Sequence, residues 1–148
     1  MPIPALNENG FLPPGVHECS LDEIRTRFGS FQSTDRRPKL FATLLVFVAE
    51  ARASEIVVAL LINGSFTSDK PDPNDIDLVL VLRQEHSYLA DLPPSQYNVV
   101  SKRRVRKRHG FDVLLARQGT EEENDAVGFY QQVRGRRTSR KGLLKVGL

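Results

Sequence analysis

Three short apolar runs, alternating with stretches of helical period, predict an α/β domain in which helices flank a small mixed β-sheet of about three to four strands. Residues 56–62 form a continuous run rich in β-branched side chains, as strands buried on both faces do, and residues 76–82 form a second such run around Asp77. Residues 111–116 form the third run, with Asp112 as its one charge.

Local signals place the elements in order. Pro2, Pro4, Pro13, Pro14 and Gly15 make residues 1–19 an extended, turn-rich arm expected to lie across the domain surface. Ser20-Leu-Asp-Glu23 has the spacing of a capping box, so a short helix should run over 21–28 until Gly29 ends it. Thr34 or Asp35 can cap the next helix, entered through Pro38. Its Leu40, Phe41, Leu44, Leu45 and Val48 recur on one face to about Arg52 and should cover the sheet. Between the first two strands, Pro71, Pro73 and four aspartates, Asp69, Asp72, Asp75 and Asp77, demand a turn. After Pro93-Pro94, one helix over 95–108 is expected, closed by Gly110 ahead of the third strand. Glu121, Glu122 and Glu123 complement a helix N-terminus, and Ala126, Val127 and Tyr130 supply its apolar side before Gly135. The last dozen residues look irregular, with Leu143, Leu144 and Val146 docking as an edge strand.

With 148 residues, 40% hydrophobic and 26% charged, the chain has the composition of one domain around one core. The expected division is the arm at 1–19, the domain proper at 20–133 and a basic C-terminal tail at 134–148. Cys19 is the lone cysteine and no charged-then-apolar leader opens the chain, so the cytoplasm is the expected location. The apolar stretches fall far short of the ~20 residues that span a bilayer, and no membrane role is expected. Net charge is only +3, but the cations are clustered. Lys102, Arg103, Arg104, Arg106, Lys107 and Arg108 form one group; Arg134, Arg136, Arg137, Arg140, Lys141 and Lys145 form another with no acid among them. Such groups either coat a solvated helix face and tail or favour polyanions, though no aromatic residue interleaves them to stack on bases.

The chemistry concentrates between residues 63 and 77. Side chains at i and i+2 of a strand share a face about 6–7 Å apart, so Asp75 and Asp77 can converge on the same cations while Ile76 and Leu78 point the other way. Isolated carboxylates in apolar strands need a compensating charge. Magnesium suits them, because it takes one or two protein carboxylates together with waters and phosphate oxygens, and a pair of ions about 4 Å apart can clamp attacking and leaving oxygens. Asp75 and Asp77 would hold the ions, and Asp112 would complete the site. Gly64 lets the backbone approach a phosphate closely, and Ser65 offers a hydroxyl and a backbone donor at the turn. Other motifs fail: Pro71 and Pro73 sit where an EF-hand loop must wind, and His17, His86 and His109 have no partner at zinc-ligand spacing. Those histidines read as surface residues or local hydrogen bonders, and Cys19 lacks an activating neighbourhood.

Strand, Gly64-Ser65, a nine-residue gap, Asp75-Ile-Asp77 and a later Asp112 flanked by apolar residues together resemble the DNA polymerase beta-type nucleotidyltransferase superfamily, particularly its minimal members. The resemblance covers roughly residues 40–116, and the opening Pro-Ile-Pro-Ala-Leu-Asn-Glu-Asn-Gly-Phe-Leu-Pro-Pro-Gly resembles an uncharacterised bacterial branch. It implies a nucleotidyltransferase-like fold with Gly64 and Ser65 on the phosphates of a nucleoside triphosphate, ATP among the candidates. It implies too that Asp75 and Asp77 ligate two Mg2+ ions and that Asp112 assists the attacking hydroxyl. Minimal members often place arginine soon after the Gly-Ser turn, whereas here Phe66-Thr-Ser-Asp-Lys70 follows, leaving Lys70 as the nearest phosphate contact; Lys102 and Lys141 are further candidates. The separate domain that grips base and acceptor in larger members is missing, so acceptor recognition falls to the basic helix, the tail or another protein. Minimal members are often paired with a small helical partner protein in toxin-antitoxin systems, which makes a protein acceptor attractive.

The expected activity is therefore magnesium-dependent transfer of a nucleoside monophosphate to a hydroxyl on protein, RNA or a small molecule, with pyrophosphate released. The alternative is a catalytically weak binding protein on the same fold, acting on nucleic acid or as an antitoxin-like partner.

Overall fold

The computed structural model describes residues 3–133 and 135–148. Pro2 of the arm and Arg134 of the second basic cluster lie outside the described residues, as do the side chains of Arg136 and Arg137. The architecture is α/β. Its main sheet runs in the order β1 (Val16–Glu18), β7 (Leu143–Gly147), β2 (Val57–Asn63), β3 (Asp77–Leu82) and β4 (Asp112–Arg117). The sheet is mixed: β1 with β7 and β3 with β4 are parallel, and the pairings of β2 with β7 and with β3 are antiparallel. A separate two-stranded ribbon joins β5 (Gln132–Val133) to β6 (Arg136–Arg140).

Helix α1 (Leu21–Arg27) opens on the expected capping box, with both reciprocal bonds between Ser20 and Glu23 made. Helix α2 (Arg36–Ser54) is capped by Thr34, whose Oγ1 accepts the Arg36 N–H at 3.2 Å, while Asp35 makes no side-chain cap bond. Period-2 alternation sorts the strands onto two faces. Leu60, Ile62, Leu78 and Leu80 pack beneath Phe41, Leu44, Phe47 and Val48 of α2. On the opposite face, Ala59, Leu61, Val79, Val81 and Ala116 pack beneath Ala126 of α5 (Glu121–Gln131), with Val127 and Tyr130 alongside.

Two expectations are corrected. The sheet has five strands, because residues 143–147 enter it between β1 and β2 instead of docking at an edge, and Leu143, Leu144 and Val146 are all buried. Lys145 interrupts that apolar run and glycines flank it, which made it look irregular; in the sheet Lys145 simply stands opposite Leu61. The arm joins through β1, and its Leu12 is part of the core. The helix expected over 95–108 is two, α3 (Pro94–Val100) and α4 (Lys102–His109). Ser101 adopts an extended backbone (φ −77°, ψ 108°) and its side chain accepts the Arg104 N–H, starting α4 in a new direction. The break lets Val99 and Val105 both reach full burial. Among the described residues, no helix is long and apolar enough to cross a membrane.

Candidate active site

Strand register decides what the sheet presents at one end. Asn63 closes β2, Asp77 opens β3 and Asp112 opens β4; the ladder pairs Asn63 with Asp77 and Asp77 with Asp112. Neighbouring strands lie about 4.8 Å apart, so these side chains form a row about 10 Å long on the α5 face.

Asp75 lies two residues ahead of β3, in irregular chain, so strand pleat does not bring it to Asp77 as the spacing suggested. A turn does. Asp75 Oδ1 accepts the Ser65 backbone N–H at 2.8 Å and the Ser65 hydroxyl at 2.6 Å, and Ser65 Oγ accepts the backbone N–H groups of Asn74 and Asp75. Ile76 between the aspartates is fully buried on the α2 side, with Leu78, as expected. Gly64 makes the close approach possible: its φ is +97°, and a Cβ there would sit 2.9 Å from the Asp75 carbonyl oxygen and 3.0 Å from the Asp77 nitrogen. Both conditions exclude a larger residue.

The turn faces a cleft of about 1160 Å³, lined by Gly64, Ser65, Lys70, Asp75 and Asp77 together with Asn63, Tyr130 and Lys141. Asp112 is not among the lining residues. Its carboxylate is ion-paired with Arg106 of α4, both side chains being largely exposed. The fold thus gathers five of the six residues singled out in the sequence and sets the sixth beside them on the next strand. Both Ser65 donors are engaged by Asp75, and the cleft lining carries the cations Lys70, Arg140 and Lys141. Lys102 lies on α4, away from the cleft lining.

Electrostatics register the convergence of the carboxylates. Burial pushes the Tyr130 phenol up, and Asp77, Asp112 and Asp75 push it further, so its hydroxyl keeps its proton among three anions. Lys141 is half-buried; burial pulls its ammonium below the ordinary lysine range, with Asp77 and Asp75 opposing the shift. Its Nζ lies 6.0 Å from the centre of the Phe11 ring. Asn63 is 1% exposed and donates through Nδ2 to the Tyr130 carbonyl at 3.0 Å, while its Oδ1 has no hydrogen-bond partner among the described residues.

That orphan oxygen and the two carboxylates are oxygen donors of the kind magnesium takes. Among the described residues no three His, Cys, Asp or Glu side chains are grouped to hold a metal ion, so the protein offers two carboxylates and an amide, and a phosphate would supply further oxygens. Asn63 could have been singled out from its place between an apolar strand and Gly64. In the sequence Tyr130 stands only on the apolar side of a helix; its approach to the aspartates depends on the fold.

His17 is a local hydrogen bonder, its Nε2 2.7 Å from the Pro13 carbonyl oxygen, whereas His109 is neither local nor at the surface: its side chain is 7% exposed and its Nε2 lies 3.1 Å from Glu50 Oε1, 59 residues away. Burial pushes the Cys19 thiol up to about 11, which keeps it protonated and inert.

Comparison with protein-family models decides the chain's membership. The chain belongs to DUF6932, a family of unknown function. The match covers residues 4–147 and so takes in the arm, the main sheet and the ribbon. Neither the curated proteins nor the solved structures gave a match.

Proposed function

We propose that this member of the family is a magnesium-dependent nucleotidyltransferase that moves a nucleoside monophosphate from a triphosphate such as ATP to a hydroxyl acceptor. One observation carries the reading: the Asn63–Asp77–Asp112 row stands beside Asp75, a carboxylate locked to a Gly-Ser turn in the wall of a cleft. Asp75 and Asp77 bind the metal, with Asn63 Oδ1 as a neutral third oxygen. When bound, magnesium supplies charge neutralisation along the triphosphate. Gly64 gives the phosphates backbone access, and Lys70 and Lys141 take their outer charges. Ser65 positions Asp75.

The acceptor oxygen forms a bond to the α-phosphorus, the bond from that phosphorus to the bridging oxygen of pyrophosphate breaks, and the hydroxyl proton passes to Asp112. Arg106 must first release that carboxylate, and an exposed pair of this kind is worth about 1 kcal/mol or less. Catalysis is then positioning and charge stabilisation. The acceptor class is a protein, including a small helical partner, an RNA or a small molecule. The cytoplasm remains the proposed location, since Cys19 is a free thiol.

The engagement of Asp112 by Arg106 and of Asp75 by Ser65 favours a second reading, in which the cleft binds a nucleotide without transferring it. Incubation with labelled nucleoside triphosphates, magnesium and cell extract separates the two. Transfer should fall at least about 100-fold in Asp75→Ala and in Asp77→Ala, as for loss of a transition-state electrostatic contact. Label transfer that survives both substitutions would sink the mechanism; nucleotide binding by calorimetry without any transfer would select the second reading.

A further inference from the structure

Helix α4 has the sequence Lys-Arg-Arg-Val-Arg-Lys-Arg-His, and no acid occurs in it. Its first turn carries Lys102, Arg103 and Arg104, where the helix dipole repels cations. Like charges also stack at i,i+4, as in Lys102 with Arg106 and Arg103 with Lys107, an arrangement that opposes helix formation. Its one apolar residue, Val105, is fully buried and anchors the helix to the core.

The protein neutralises only part of this charge. Arg106 pairs with Asp112 and Arg108 with Glu50. Among the described residues no carboxylate pairs with Lys102, Arg103, Arg104 or Lys107, and all four are exposed. Arg104 is held in place by neutral groups: it donates to Asn98 Oδ1 at 2.7 Å and lies 4.9 Å above the Tyr97 ring centre. Its guanidinium is therefore fixed in direction while its charge stays available. Arg103, Arg104, Lys107 and Arg108 also border a shallow recess of about 290 Å³.

We propose that α4 binds the phosphodiester backbone of a nucleic acid strand. Eight helical residues span about 12 Å, the axial rise of three to four nucleotides of a stacked strand at about 3.4 Å each. The four uncompensated cations match that number. An anionic bilayer fits less well, because interfacial helices insert apolar side chains and the only one on α4 faces the core. This surface goes beyond nucleotide transfer in the cleft, and it stands or falls separately.

Anisotropy of labelled twelve-nucleotide RNA and DNA strands of one mixed sequence, without magnesium or nucleotide, tests it on the full chain. Four phosphate contacts on a single strand predict a log–log salt slope of about −2.8, so affinity should fall about 50-fold between 50 and 200 mM salt. RNA and DNA should bind alike. The fourfold variant Lys102→Gln, Arg103→Gln, Arg104→Gln and Lys107→Gln should lose the slope, and each single substitution should reduce it by about 0.7. Arg52→Gln and Arg83→Gln, exposed elsewhere, should leave it unchanged. Failure to bind at 50 mM salt, a slope unaltered in both the single and fourfold variants, or equal displacement by polyglutamate or phosphatidylserine vesicles would each overturn the proposal.

Discussion

Arg37 is 1% exposed, and among the described residues its guanidinium hydrogen-bonds no carboxylate. It is held by carbonyls instead. Nη1 donates to the carbonyls of Phe28 and Phe66, and Nη2 to those of Ser68 and Lys70, at 2.6–3.2 Å, with the Phe28 and Phe66 ring centres 5.8 and 5.7 Å from its Cζ. Burial pulls its pKa down while Asp69 opposes the shift, and an arginine with such a high ordinary value stays charged. The side chain ties α1 and α2 to the segment that follows Gly64, and so fixes the loop behind the cleft. In Arg37→Met the volume is kept but buried carbonyls are left unpaired at about 1–3 kcal/mol each. Thermal unfolding should therefore show a loss of about 3 kcal/mol or more, and amide exchange across residues 65–70 should quicken. A variant as stable as the parent, with unchanged exchange, would show that the loop holds itself. Nothing in the sequence marks Arg37 apart from Arg36, because its role depends on carbonyls up to 33 residues away. Gly64, Asp75 and Asp77 were legible for the opposite reason: their constraints are local and leave a spacing.

Elements were legible where one apolar period and one stop signal coincide. The capping box of α1 and the central strands β2 and β3 appear where the pattern places them, within a residue or two at their ends. The break between α3 and α4 was not, since Ser101 is an ordinary surface residue until the core draws Val99 and Val105 in different directions. The start of α5 rests on more than three glutamates complementing a dipole. Glu122 bridges back to the strand before it, accepting from Nε, Nη2 and the backbone N–H of Arg117, while the Tyr88 hydroxyl donates a further bond at 2.9 Å. The Arg117 guanidinium, first among these, holds the Glu122 carboxyl down to about 2 from an ordinary value of 4.5. A depressed carboxyl contributes stability that is present above pH 4.5 and lost as pH falls toward 2. The melting temperature of Glu122→Gln should therefore lie below that of the parent at neutral pH, with the gap closing between pH 4.5 and 2. A gap that persists unchanged at pH 2 would mean that the contact is steric and not ionic.

For the whole molecule, the sequence conveys class and central strands but underrates the chain ends. The arm carries too few apolar residues to announce a strand, and Leu143, Leu144 and Val146 of the tail announce one without its central place: β1 runs parallel to β7, and β7 pairs on its other side with β2. The Cys19 N–H bonds the Lys145 carbonyl at 3.0 Å, and the Leu143 N–H bonds that of Gly15 at 2.9 Å. Such long-range partnership leaves no periodic trace. It has an energetic consequence, because Leu143, Leu144 and Val146 are 0%, 0% and 4% exposed. Burying three such side chains contributes about 6 kcal/mol, comparable with the whole stability of a small domain. A chain ending at Gly142 loses that burial, strands β1 without a partner and bares the edge of β2, so it should lack a cooperative melting transition and bind a hydrophobic dye. Lys145→Gln, which keeps the strand and alters only a half-buried cation, should melt within about 0.5 kcal/mol of the parent. A truncated chain that still melts cooperatively near the parent temperature would show that β2, β3 and β4 with their helices form a self-sufficient core, and that the last strand serves the cleft through neighbouring Lys141 alone.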